Sequence, residues 1–224
     1  MKKIRLSIIA ILASILMSSC ATYTRAGLYP MMYEEKPLSI LVMPPINNTT
    51  NVEAKELLYT SISKPLIEAG YYVVSQHIAM EFLKAESGYD AERFIDGNIS
   101  MFGNIFGADA VIFSIVDRWT KVGLGIQTRI KYVMKSTKTN EILFERTCDL
   151  YLDLSVNSGS SSALGALLDI AASAIMTAAT DHIVAARKCN QYIFNDIPRG
   201  AYSSEFGLDM ETPASEQNST VTVK

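Results

Sequence analysis

Ser39 to Ser75 reads SILVMPPINNTTNVEAKELLYTSISKPLIEAGYYVVS, and the order of apolar runs and helical spacings inside it decides the fold. Leu38 to Met43 is a compact apolar run stopped by Pro44 and Pro45, the composition of a buried first strand. Asn47 to Asn51 is a polar turn cluster. Ala54, Leu57, Leu58, Ile62, Leu66 and Ala69 then recur at helical spacing, and Gly70 supplies the stop. Pro65 lacks a backbone donor and clashes with the preceding turn, so it kinks this helix or starts a new one. Tyr71 to Ser75 is a second short strand.

Moving outward toward the C-terminus, Ile78 to Glu86 places Ile78, Phe82 and Ala85 on one helical face, ahead of a break at Gly88-Tyr89-Asp90. Ala91 to Phe106 reads as one or two short helices interrupted by Gly97 and Gly103. Ala110 to Val116, with Ser114 its single polar residue, is the candidate central strand. Strand, helix, strand, helix, strand describes a sheet covered by helices. The period then changes to two. Ile126, Thr128, Ile130, Tyr132 and Met134 alternate with polar neighbours, as do Phe144, Cys148, Leu150, Leu152 and Leu154. That pattern predicts a long antiparallel hairpin with one wet face. Ala163 to Lys188 is expected to be a long helix, with a stripe of Leu168, Ala172, Ile175, Ala179, Ile183 and Ala186 packed on the sheet or offered to a partner. Asp169, Asp181 and His182 exclude it as a membrane span. The expected class is therefore α/β (α+β): a mixed sheet with a βαβ-type N-terminal half, a long hairpin and a C-terminal helix. Residues 38–202 form one globular domain, and the polar stretch 203–224 is expected to be a disordered tail.

The N-terminus carries a different signal. Lys2, Lys3 and Arg5 precede a mostly apolar run, Leu6 to Met17, which is the arrangement of a secretory signal peptide over residues 1–19. The run is too short for a hydrocarbon core, which needs roughly 20 apolar residues. Met17-Ser18-Ser19-Cys20 resembles the lipobox of bacterial lipoproteins, in which the thiol is acylated and becomes the first residue of the mature chain. The departure is Met17, where Leu is commoner. A plain signal followed by an incidental Cys is the alternative. Ala21, in place of Asp, implies sorting to the outer membrane, with the protein lipid-anchored and facing the periplasm; residues 20–37 are then a lipidated tether. Removing the three leader cations takes the formal charge from −3 to −6 over a chain that is 49% hydrophobic. An acidic body has no electrostatic footprint for nucleic acid.

Chemistry is sparse. His77 and His182 have no ligand partner at a helical offset, so no metal or other cofactor is expected. Gly123-Leu124-Gly125 reads as a hairpin or bulge, since no helix follows it. Asp96, Asp109 and Asp117 sit beside turns, where single carboxylates usually serve the turn. No nucleophile–base pair is legible, so no catalytic residue is assigned. Cys148, on the apolar face of its strand, and Cys189, at the end of the covering helix, are expected to form a disulfide in an oxidising compartment, with two independent buried thiols as the alternative. A bridge closing about 40 residues would stabilise by on the order of 4 kcal/mol.

Ser39 to Ser75 together with FGADAVIFSIVDRW (Phe106 to Trp119) resembles a family of bacterial lipoproteins of unknown function, over roughly residues 15–190. The distinctive pieces are Pro44-Pro45 with Asn47, Pro65-Leu66, Gly70-Tyr71-Tyr72-Val73 and Gly107-Ala108-Asp109-Ala110. That family is similar to the N-terminal domain of the Tol-system propeller protein and to the periplasmic domain of the curli-secretion channel lipoprotein. The resemblance implies an envelope or secretion assembly, with a curli-channel-like lipoprotein as partner, and no activity. Two functions are carried forward: a non-catalytic interaction module, and a binding protein for a small or lipidic ligand held between the long helix and the sheet.

Overall fold

The computed structural model describes residues 23–85, 89–153 and 179–223. Its centre is a seven-stranded mixed sheet in the order β3-β1-β4-β5-β6-β7. The strands are β1 (Ser39–Val42), β2 (Ile46–Asn47), β3 (Tyr72–Val73), β4 (Ala110–Val122), β5 (Gly125–Ser136), β6 (Ile142–Asp153) and β7 (Asn218–Val223). β1 runs parallel to both β3 and β4, and β4, β5 and β6 form an antiparallel meander. The expected class is what the structure shows.

β1 and β2 are one strand interrupted. Val42 lies opposite Ile112 and Ile46 opposite Ile115, so four residues on one side span three on β4. Pro44 and Pro45 occupy the extra length because neither can donate to a ladder. A second irregularity falls between Val116 and Arg118, where β4 shifts register against β5. It turns Val116 and Trp119 to the same face, and the strand runs on to Val122. Gly123, at φ +58°, then makes the tight turn into β5.

Helices cover both faces. On one face lie α1 (Arg25–Leu28), α2 (Pro30–Glu35), α3 (Glu53–Ser61), α4 (Ser63–Glu68) and α8 (Ala179–Phe194). They enclose a core that includes Ile40, Val42, Ile112, Ile130, Phe144 and Leu150. On the other face α5 (Gln76–Ala85), α6 (Glu92–Ile95) and α7 (Ser100–Phe106) cover Leu41, Met43, Val111 and Phe113. The chain breaks at Ile62, so Pro65 sits in the first turn of α4, where its missing donor costs nothing. α8 continues past Lys188 to Phe194; residues 163–178 of the expected helix, like the leader and Cys20, lie outside the described residues.

Two expectations are corrected. Residues 203–223 are not a disordered tail. Consecutive tight turns carry the chain from Ser203 to Thr212, and β7 then pairs in parallel with β6 from Thr147 to Leu152. The segment is fastened by contacts that no local composition reveals. Arg25 and Asp209 form a buried ion pair at 2.9 Å, and Thr24 bridges Pro213. Gly200 N–H donates to Ala69 O while Tyr202 N–H donates to Gly70 O. The two glycines are in such contact that a Cβ on Gly200 would lie 2.3 Å from the Gly70 carbonyl oxygen. Correspondingly, residues 24–35 are two short helices within the fold, with Tyr29 and Met32 buried, and the folded unit extends beyond 38–202 at both ends.

The second correction concerns the cysteines. Cys148 and Cys189 both reach the same core, but both are free. The Cys189 sulfur instead lies 3.0 Å from Thr128 Oγ1. Burial pushes the Cys189 thiol up to about 12, against a lowering by the Thr128 contact, and the Cys148 thiol up to about 11. Thiols so shifted are protonated at neutral pH and poor nucleophiles.

Candidate functional site

The interruption after β1 leaves an opening. α3 follows β2 on one face of the sheet and α5 follows β3 on the other, so the space beyond the carboxyl ends of β1 and β3 lies between helices of opposite faces. In open α/β sheets this is where ligands bind. A crevice of about 460 Å³ occupies it. Its floor includes the buried Pro44 and Pro45 together with Met80, and its rim carries Lys55, His77 and Lys84.

The surrounding groups hold the crevice open. Tyr59 O–H donates to Gln76 O at 2.9 Å, and Gln76 Nε2 donates back to Tyr59 O at 2.5 Å, tying α3 to the start of α5. Ser63 Oγ also contacts Gln76 Oε1. Burial pushes the Tyr59 phenol well above its ordinary range, so it is a neutral donor and no base. Asn51 Oδ1 accepts from Ala54 N–H at 3.2 Å and fixes the first turn of α3. Lys55 Nζ stands 3.8 Å from the centroid of the Tyr89 ring, a cation–π contact across the mouth. Among the described residues Lys84 pairs with the exposed Glu81 at 3.8 Å, and such pairs contribute little. The crevice thus joins an apolar floor to a polar rim of Lys55, His77 and Lys84, with the carboxylate of Glu56 among them. No nucleophile faces a base in it.

A larger cleft of about 650 Å³ opens beside α6, over Ile115 of β4 and Val133 of β5. Both of its lysines are already engaged. Lys131 pairs with Glu145 at 3.0 Å, and the buried Lys135 donates to Ile95 O and Gly97 O at 3.0 and 3.2 Å. It is a less inviting surface for that reason.

The residues singled out in the sequence are scattered. Asp109 accepts from the backbone N–H groups of Leu38 and Ser39 and pairs with Lys138 at 2.8 Å. Burial alone would raise its carboxyl, but these hydrogen bonds outweigh burial and hold it below the ordinary range. Asp117 accepts from Asn48 Nδ2, and Asp96 borders the larger cleft. The three carboxylates do not meet. His182 Nδ1 accepts from Trp119 Nε1 at 2.6 Å, and His77 is exposed at the crevice rim. Among the described residues no three His, Cys, Asp or Glu side chains are grouped to hold a metal, and no helix is long and apolar enough to cross a membrane. Sequence reading missed the crevice. Its signal was Pro44-Pro45, read there only as the end of a strand.

Fold and site define a mixed-sheet α/β domain whose open end is equipped to bind. The sequence profile of the GNA1162-like lipoprotein family matches residues 28–197, and the chain belongs to that family. The lipoprotein NMB1124/NMB1162 of Neisseria meningitidis serogroup B is 29% identical over 187 residues, covering 81% of this chain and 84% of its own. Among solved structures, lipoprotein GNA1162 from Neisseria meningitidis is 26% identical with a TM-score of 0.48, over 64% of this chain and 100% of that one. A PelC dodecamer from Paraburkholderia phytofirmans is 11% identical with a TM-score of 0.39, over 74% and 90%. The matched family region stops at Ile197, so the terminal turns and β7 lie beyond it.

Proposed function

We propose that the protein is an envelope lipoprotein, acylated on Cys20 after loss of residues 1–19, that acts as a non-catalytic interaction module on the periplasmic side of the outer membrane. Its role is that of an accessory subunit in a secretion or transport assembly, with a second, curli-channel-like lipoprotein as partner. One observation carries this reading. The crevice beyond β1 and β3 presents Lys55, His77 and Lys84 over an apolar floor, with no nucleophile–base pair among them. Membership of a lipoprotein family supports the anchor. The alternative, a ligand held between the long helix and the sheet, finds no room in the described part of that layer, where Ala185, Ala186, Cys189 and Ile193 are fully buried. A small ligand would instead have to use the crevice, whose volume lies within the range of ligand sites.

Two experiments test the proposal. Mass analysis of the mature protein should show loss of residues 1–19 and acyl mass on Cys20, and Cys20→Ala should leave the membrane. A photo-crosslinking side chain at His77 or Lys84 should capture a second lipoprotein in intact envelopes, whereas the same group at Leu124 should not. Recovery of the protein alone from both rim positions, at native levels, would remove the interaction reading.

A further inference from the structure

Around Asp209 the loop of residues 201–212 is built inside out. Asp209 is only 3% exposed and turns inward, where its Oδ2 accepts from Arg25 Nη1 and from Arg199 N–H, each at 2.9 Å. Its neighbours Leu208 and Met210 turn outward, Leu208 at 81% exposure. Tyr202 and Phe206, on the preceding turns, are exposed as well. Arg199 pairs with Glu205 at 3.1 Å, so a local charge is also spent within the segment. A soluble surface turn would normally place Asp outward and Leu inward. Here Tyr202, Phe206, Leu208 and Met210 stand on the outside of a hydrogen-bonded loop beside the exposed Glu205 and Glu211, a mixture of aromatic, aliphatic and polar groups suited to the interfacial zone of a membrane.

The position of the segment names its occupant. Arg25 N–H donates to Thr212 O and Ala26 N–H to Met210 O, so the loop is fastened to the first folded residues of the chain. Cys20 lies four residues before Thr24, a span of at most about 14 Å when fully extended. We infer that Tyr202, Phe206, Leu208 and Met210 form a second membrane contact, which lies on the lipid surface beside the acyl chains of Cys20. The inference rests on the lipid-anchor reading above. It deepens that reading by fixing orientation. The loop packs against Gly70 and thus against the amino ends of β1 and β3, so the crevice at their carboxyl ends faces away from the bilayer. The contact is apolar and requires no anionic lipid.

The test uses the full acylated chain in vesicles of phosphatidylethanolamine and phosphatidylglycerol that carry brominated acyl chains. Leu208→Trp places an indole on the loop, Leu124→Trp places one on the β4–β5 turn, and the native Trp119 is buried. An interfacial side chain sits about 5–10 Å into the headgroup and acyl boundary, within reach of bromine, so roughly twofold quenching is expected for L208W and none for L124W. Met210→Trp should behave like L208W, which guards against a local misfolding of one variant. Acylation of Cys20 is read separately by mass. Quenching in a chain that lacks acyl mass would sustain the loop contact and remove the anchor. Equal quenching of L208W and L124W, in chains with or without acyl mass, would overturn the contact and leave the loop to a protein partner.

Discussion

Where the two ends of the folded chain meet, the charges are buried and paired, Arg25 with Asp209 at 2.9 Å and Arg146 with Asp196 at 3.0 Å. At the carboxyl ends of β1 and β3, Lys55, His77 and Lys84 instead stand at the mouth of an open crevice. Both regions carry basic side chains, and their surroundings give them different work. Arg146 is almost wholly buried and also donates to Ile193 O at 2.8 Å, so its geometry is fixed by its partners. Asp196 in turn accepts from Ser215 N–H at 3.0 Å, which ties the last helix to the terminal segment. Buried charges of this kind specify an arrangement; exposed ones remain available to a second molecule.

The contrast can be broken most severely at the clamp. Arg25→Ala or Arg146→Ala leaves a buried carboxylate uncompensated and should cost roughly 3–5 kcal/mol in urea unfolding. Arg25→Ala should also expose residues 200–213 to limited proteolysis. Gly200→Ala drives a Cβ to within 2.3 Å of Gly70 O, and overpacking of that kind should cost about 1–3 kcal/mol in the same measurement. At the crevice, Lys55→Ala removes only the contact to Tyr89, so a loss of about 0.5–1 kcal/mol is expected. A loss as large as that of Arg25→Ala would erase the distinction between the two regions. The cysteines sharpen the picture further. Their burial and raised values predict that neither reacts with alkylating reagents in the native protein near neutral pH, and that both Cys148 and Cys189 are alkylated after denaturation without reductant; failure of both to react would restore the disulfide.

The smallest effect concerns pH. The Asp109 carboxyl lies below its ordinary range in the folded protein, so the folded state binds this proton less readily than the unfolded chain. Its contribution is present above the unfolded value of about 3.9 and is lost as pH falls through the folded one. Asp109→Asn should flatten the acid limb of the stability profile there, and an unchanged limb would show that the Lys138 pair contributes nothing.

Periodicity made most of this fold legible. β1, the α3–α4 pair, β3 and the β5–β6 hairpin all follow from spacing that each element carries within itself. What escaped depended on something elsewhere. The DRWTKV end of β4 shows no alternation because the irregularity after Val116 shifts its phase. β7 has an alternating pattern, NSTVTV, that its polar composition conceals. Asp209 is buried only because Arg25 meets it from 184 positions away, which no local window contains. The crevice escaped because a strand that stops at two prolines and a strand that skips them look alike until the pairing of Ile46 with Ile115 is known.

That contact between residues 25 and 209 also has a kinetic meaning. A pair so distant along the chain closes late, after the local hairpin and helices have formed. Because the entropic cost of closure over so long a stretch of chain must be met before the contact contributes, the clamp adds its stability only to a fold that is otherwise nearly complete.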